Sequence, residues 1–401
     1  MPAADPVPAA DPTPAAAGNP APAVAGNPAP APGGNPGSPP VANPMRPARR
    51  PRRGPTGRPE VDTLLEELLD TIGATHNRDQ LLELLATVVE MGSAHFNRLD
   101  LKIASAALRE MAEGFEVFSP YRHIRKVTMF GSARTASSDP LYAQARDLAA
   151  LMADHGWSTV TGAGPGIMAA GLEGAGVDHA FGINIRLPFE QGANEFIASD
   201  PKLVSMKYFF TRKLLLIKES YGYAVLPGGF GTLDEAFELL TLLQTGKAEP
   251  APVVLLDVPG GGYWSAWEDW VLHHVGSRRF INAEDQRLYR ITDNVDDAAV
   301  ELLDFYRNFH SLRWVGDTMV VRLQAAPGAP EVAGLAEEFS DVVDGVIQVS
   351  AGPVPGEGRQ DSFPDLPRLA FRFRRVSYAR LRQLIDAVNQ LPSAPPGVVV
   401  R

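Results

Sequence analysis

Three glycine-containing turns and three charged residues are the parts of this chain whose types and spacing could do chemistry. The turns are Gly131-Ser132, Gly162-Ala163-Gly164-Pro165-Gly166 and Pro227-Gly228-Gly229-Phe230-Gly231-Thr232. Glycine tolerates positive φ and lets backbone N–H groups come close to an anion. A helix opening directly after such a turn adds the positive end of its dipole. Pro227–Thr232 meets these conditions, with Thr232 as a hydroxyl donor, and predicts a phosphate site. A tight turn without a ligand explains a lone glycine pair. Three turns at successive strand ends are harder to explain that way. Gly162–Gly166 is not a dinucleotide fingerprint, because its spacing is G-x-G-x-G and no acidic residue ends a strand about twenty residues later. No Gly-Lys-Ser/Thr follows, so it is not a Walker loop either.

The charged residues are Glu235, Arg212 and Lys213. Glu235 lies three residues past Thr232, where a carboxylate can either complement the helix dipole or act on a substrate. Asp234 beside it reads as a solvated or helix-start charge. Arg212 and Lys213 open the helical stretch Thr211–Glu219; taken alone they read as a solvated basic pair. Together these groups suit one reaction. The loop holds a phosphate, the arginine neutralises charge beside it, and the glutamate orients a ribose hydroxyl or activates water. That suits cleavage of the N-glycosidic bond of a nucleoside monophosphate through an oxocarbenium-like transition state. The reading calls for no cofactor and no metal. His273-His274 are adjacent on a helix and expected to point apart.

These residues need a frame. Strands read at 126–130, 157–160, 180–185, 223–226 and 253–256, with helices between them. Strands alternating with helices predict an α/β fold with a parallel, doubly wound sheet, whose ligands sit outside the carboxyl ends of the strands. Near-continuous apolar strands fit burial on both faces. Before the sheet, residues 59–121 read as a helical preface, with Leu64, Leu65, Leu68, Leu69 and Ile72 at helical spacing. The sheet region spans 122–311. After it, 312–401 carries a β-α-β-β-α pattern beginning at Met319, a small α+β domain of unread role.

The chain has 401 residues, a formal net charge of −10 and no Cys. Disulfides, thiolate metal sites and cysteine nucleophiles are thereby excluded. Residues 1–58 hold 17 of the 36 prolines and read as a disordered, partly polyproline-II tail. Its charge is +4, which leaves −14 on the remainder, so no nucleic-acid partner is expected there. No apolar run reaches about 18 residues and no secretory signal opens the chain, so a cytoplasmic protein without a membrane partner is expected.

With those residues in hand a family likeness emerges. Pro227-Gly228-Gly229-Phe230-Gly231-Thr232-Leu233-Asp234-Glu235 resembles the P-G-G-x-G-T-x-x-E signature of the LOG ("lonely guy") family. Arg212-Lys213 matches its second motif. Gly131-Ser132-Ala133-Arg134 and Gly162–Met168 resemble its nucleotide loops, and the likeness covers about 122–300. The resemblance implies a Rossmann-like phosphoribohydrolase, a homodimer or higher oligomer, releasing a free base and ribose 5-phosphate from nucleoside 5′-monophosphates. It implies Arg212 and Glu235 as the catalytic pair. Gly131, Ser132, Gly162, Gly164, Lys213, Gly228, Gly229, Gly231, Thr232 and Thr241 would form the nucleotide site. An AMP-like purine nucleotide is the substrate expected, rather than a cytokinin nucleotide, because the tail, preface, C-terminal domain and Pro188–Asn194 depart from short plant-type members. Two alternatives stand beside it: a nucleotide sensor read out by the C-terminal domain, and a scaffold whose tail recruits a partner. The older label lysine decarboxylase finds no pyridoxal-phosphate lysine here.

Overall fold

The computed structural model describes residues 55–187, 192–358 and 363–400. The tail expected over 1–58 lies outside these but for its last four residues, as do residues 188–191 of the stretch Pro188–Asn194. The described residues fall into two compact units, divided after Ala94.

The first unit carries α1 (Pro59–Thr71) and α2 (Arg78–Ser93), which pack on each other. Pro59 opens α1, where a missing N–H costs nothing, and Asp62 accepts hydrogen bonds from Thr56. Of the five apolar residues read at helical spacing, Leu65 and Leu69 on α1 are buried, Leu64 and Leu68 on α1 are exposed, and Ile72, also exposed, is the residue that follows the helix.

The second unit opens with α3 (Arg98–Phe118), capped by the Asn97 side chain. Then follow β1 (Lys126–Phe130), α4 (Pro140–Asp154), β2 (Ser158–Thr161), α5 (Ile167–His179), β3 (Ala180–Ile185) and β4 (Leu203–Met206). The chain continues through α6 (Phe209–Lys218), β5 (Gly222–Val225), α7 (Phe230–Gln244), β6 (Val253–Leu256), α8 (Tyr263–Trp270), β7 (Arg290–Thr292) and α9 (Val295–Asp304). The seven strands form one parallel sheet in the order β4-β3-β2-β1-β5-β6-β7. Helices α4, α5 and α9 cover one face, around Val127, Met129 and Ala224. Helices α3, α6, α7 and α8 supply residues to the other, around Phe130, Tyr223 and Val225. The strands are buried on both faces, as a doubly wound sheet requires. The chain winds outward from β1 to β4, then returns to lay β5 on the other side of β1. The β1/β5 junction is therefore the switch point where an open sheet leaves a crevice.

Two strands, β4 and β7, are absent from the sequence reading. Both are edge strands: β4 alternates half-buried and buried residues, and β7 is three residues long and partly exposed. Neither presents the continuous apolar run of a central strand. The last part of the unit holds β8 (Phe309–Val315), β9 (Thr318–Leu323), α10 (Ala329–Glu338), β10 (Val343–Ser350), β11 (Arg368–Phe373) and α11 (Tyr378–Gln390). These four strands make an antiparallel sheet in the order β10-β11-β9-β8. The strand β8 is missing from the expected pattern. It is mostly half-buried, and it pairs with β9 through a tight turn at Gly316, whose φ of 59° favours glycine. No helix among the described residues is long and apolar enough to cross a membrane.

Candidate active site

A cleft of about 850 Å³ opens at the carboxyl ends of β1, β2, β3 and β5. The turns after β1, β2 and β5 line it, together with the first turns of α6 and α7. Hydrogen bonds tie the turns together. The Ser132 amide donates to the Pro227 carbonyl at 3.2 Å, and the Ile167 amide donates to the Ser132 carbonyl at 3.1 Å. The Tyr263 hydroxyl donates to the Gly228 carbonyl at 2.7 Å. The rim is therefore one connected backbone surface rather than three independent loops.

The glycines serve close packing more than unusual dihedrals. A Cβ on Gly162 would overlap the Arg212 guanidinium, and one on Gly228 would overlap the Thr232 hydroxyl. Gly131 makes room for Ile167 and Gly164 for Met168. Gly229 and Gly231 face open space, with nothing within 4 Å of where a side chain would begin. The expected positive φ is found only at Gly166, at 67°, with Ala163 beside it at 58°. Close neighbours leave no room for a side chain at Gly131, Gly162, Gly164 and Gly228, whereas Gly229 and Gly231 stand open.

Helix α7 begins at Phe230 with Gly229 as its N-cap, and no side chain caps it. No acidic residue lies in its first turn. Its orphan amides and the positive end of its dipole thus face the cleft, the arrangement that suits an anion. Thr232 is buried on the cleft wall; Phe230, 94% exposed, projects away from the core.

Arg212 and Lys213 are neighbours on α6 but face different partners. Arg212 lies against the sheet edge, its Nε donating to the Ile183 carbonyl at 3.0 Å, and its side chain lines the cleft. Lys213 is buried toward α7. Its Nζ contacts Asp234 at 2.7 Å, Glu238 at 2.6 Å and Glu235 at 3.9 Å. Burial works against the Lys213 ammonium, but hydrogen bonds to Asp234 and Glu238 help hold its pKa above the ordinary value. The expected solvated basic pair is therefore not found. Asp234, although exposed, is engaged with Lys213 rather than free in solvent.

Glu235 lines the same cleft and is 8% exposed. Its Oε2 has no hydrogen-bond partner among the described residues. Burial raises its pKa from 4.5 to about 7. Lys213 and Arg212 oppose that rise, and Asp234 and Glu238 add to it. A carboxyl group poised near neutrality in a cleft can hold or release a proton at working pH.

Of the residues named from sequence, Gly131, Ser132, Gly162, Gly164, Arg212, Gly228, Gly229, Gly231, Thr232 and Glu235 all line this one cleft. Two do not. Lys213 lies behind Glu235 rather than on the cleft wall. Thr241 lies further along α7, exposed, its hydroxyl donating to the Phe237 carbonyl at 2.7 Å. The cleft also takes Asn184, Leu187, Met168 and Phe209, which sequence reasoning left out. Asn184 carried a signal: a polar residue near the carboxyl end of the otherwise apolar strand β3. His273 and His274 do not point apart. They lie in a π-helical turn, Val271–Gly276, that brings their rings to 4.9 Å, edge to face. Among the described residues no group of three or more His, Cys, Asp or Glu could hold a metal ion.

Residues 162–302 match a family described as possible lysine decarboxylase. A pyrimidine/purine nucleotide 5′-monophosphate nucleosidase of Escherichia coli K12 is 32% identical over 150 residues, which is 35% of this chain and 31% of that protein. A bifunctional cytokinin biosynthesis protein of Fusarium pseudograminearum is 27% identical over 214 residues, 48% of this chain and 43% of that one. The matched stretches thus span less than half the length of either relative. Among solved structures, the molybdenum cofactor carrier protein of Chlamydomonas reinhardtii aligns with 44% of this chain and 94% of its own, at 22% identity and a TM-score of 0.31. DNA processing protein A of Streptococcus pneumoniae aligns with 61% and 89%, at 13% identity and a TM-score of 0.32.

Proposed function

We propose that the chain is a nucleotide phosphoribohydrolase of the LOG family, hydrolysing the N-glycosidic bond of a nucleoside 5′-monophosphate to a free base and ribose 5-phosphate, a reading that the family match over residues 162–302 and the nucleosidase relative support. The single observation that carries this reading is the shared cleft. An uncapped helix N-terminus and a buried, under-partnered glutamate line one space with Arg212.

The phosphate docks on the first-turn amides of α7 and the Thr232 hydroxyl. Open backbone at Gly229 and Gly231 lets the ribose lie close to the loop. Met168, Leu187 and Phe209 provide an apolar wall for the base. As the bond from C1′ to the base nitrogen breaks, positive charge grows on the sugar ring, and the Glu235 carboxylate stabilises it. Water then forms the new bond to C1′. Its proton passes to Glu235 and on to the departing base nitrogen, so the carboxylate is regenerated. Arg212 offsets the substrate's negative charge, and Lys213 holds Glu235 from behind. An AMP-like nucleotide is the substrate class proposed, and a homodimer or larger assembly is part of the same reading.

The test is to incubate the full chain with AMP, GMP, IMP, CMP and UMP and to separate the products by chromatography. Free base with an equal amount of ribose 5-phosphate supports the reading. No base from any of the five overturns it, and tight nucleotide binding without product would turn the protein into a nucleotide sensor.

A further inference from the structure

The helix that carries Arg212 does not cap itself. Tyr208, at the N-cap of α6, makes no side-chain capping hydrogen bond. A carboxylate from a different helix takes up that position. Glu110 of α3 accepts from the Lys207 amide at 2.8 Å, from the Tyr208 amide at 3.4 Å and from the Thr211 hydroxyl at 2.7 Å. These partners lie 97 to 101 residues away in sequence. Its side chain is 5% exposed, and Arg186, just past β3, brings a guanidinium to 3.7 Å. Such a buried acid sits at the positive end of the α6 dipole and is held by charge-assisted hydrogen bonds, which are short and directional.

The slot for Arg212 tolerates little movement. Its Nε is bonded to the Ile183 carbonyl, and its guanidinium presses on Gly162 so closely that a Cβ there would overlap it. Thr211, which donates to Glu110, is the residue immediately before Arg212. Resting on the reading of Arg212 as the arginine of a phosphoribohydrolase site, we propose that Glu110 is a positioning residue. Its carboxylate fixes the start of α6 against the sheet and so holds the Arg212 guanidinium over Gly162 and Ile183. It lies outside the cleft and does not touch substrate; it acts through Arg212. In this chain α3 is thereby a part of the catalytic apparatus, although it lies outside the region the family match covers.

The experiment is a mutant cycle in the full chain: Glu110→Ala, Glu110→Gln, Arg212→Ala and the Glu110→Ala/Arg212→Ala double variant. Base release from the best nucleotide of the panel provides kcat and KM. Calorimetric titration with ribose 5-phosphate provides affinity independently of turnover. Glu110→Ala is expected to lower kcat by about 10- to 100-fold, with a smaller change in KM, as misplacement by about an ångström does. On the Arg212→Ala background the same substitution is expected to cost less than about twofold. Glu110→Gln, which keeps one acceptor oxygen, is expected to recover part of the loss.

Equal losses in both backgrounds overturn the inference, because they mark Glu110 as a general stability residue. An unchanged kcat in a folded Glu110→Ala protein overturns it as well. Where Glu110→Ala does not fold or Arg212→Ala turns over too slowly to measure, Glu110→Gln and ribose 5-phosphate affinity decide by the same comparison. If the native chain releases no base but binds ribose 5-phosphate in an Arg212-dependent way, the hydrolase reading fails alone and the affinity cycle still decides on Glu110. Absence of both turnover and Arg212-dependent binding overturns the two together.

Discussion

Two glutamates of the same structural unit are buried in very different company. Glu357, between β10 and β11, has a fully inaccessible side chain. Its Oε1 accepts from Arg322 Nη2 at 2.8 Å, and its Oε2 accepts from Arg368 Nε at 3.3 Å and from the Val354 amide at 2.9 Å. Glu235 is almost as buried, yet its Oε2 has no hydrogen-bond partner among the described residues, and the Lys213 ammonium 3.9 Å away is shared with Asp234 and Glu238. Burial is common to both; satisfaction is not. A buried carboxylate with its acceptor sites filled is part of the scaffold, because every partner would be stranded without it. One left under-partnered beside an open cleft keeps its free energy available for a ligand.

Three measurements would break or sharpen that contrast. The largest effect is expected at Glu235. Replacing it with Gln should lower kcat for base release by roughly 10³-fold, the scale of a lost acid–base group, while the melting temperature holds or rises. The pH dependence follows from the raised pKa. Folded protein binds this proton more tightly than unfolded protein does. The stability it contributes is complete below about 4.5 and is lost as pH climbs through about 7. The ionised form, which the proposed mechanism requires to stabilise the sugar cation, accumulates across the same interval. Wild-type kcat/KM should therefore rise with pH toward a plateau above about 7, and Glu235→Gln should flatten both slopes. A wild-type profile already flat there removes Glu235 from the chemistry.

The next effect is one of stability alone. Glu357→Ala leaves two guanidinium groups in the core and should cost about 3 kcal/mol, read from urea unfolding. Turnover per folded molecule should be unchanged; a parallel fall in kcat would collapse the distinction between the two acids. The smallest effect is expected at Thr241. Its side chain is exposed and, among the described residues, its hydroxyl donates within its own helix. Thr241→Ala should change kcat/KM by about twofold or less. A larger loss would return Thr241 to the nucleotide site, through a second copy of the chain.

The contrast also measures what could be read in advance. The sheet was legible from its central strands because their residues alternate between two covered faces, Val127, Ala224 and Val254 on one and Phe130, Tyr223 and Val253 on the other, so that largely apolar runs result. Edge strands β4 and β7 and the half-buried β8 were not, since exposure dilutes the apolar pattern that periodicity detects. The cleft residues were legible because glycine turns must follow strands in a fixed order. The division of labour between Arg212 and Lys213 was not. Adjacent residues on a helix diverge by about 100°, and which one meets the sheet and which meets α7 depends on how α6 is seated.

The chain's own order of residues determined the glycine turns, the helix that starts at Phe230 and the presence of an acid one turn into it. These follow from local rules of φ, capping and periodicity. Tertiary structure alone decided that Glu235 would be buried without a full set of partners, that Lys213 would stand behind it, and that Glu110 would cap a helix about a hundred residues downstream. Desolvation and long-range hydrogen bonding depend on what else the fold brings within a few ångströms, and no spacing along the chain encodes that distance.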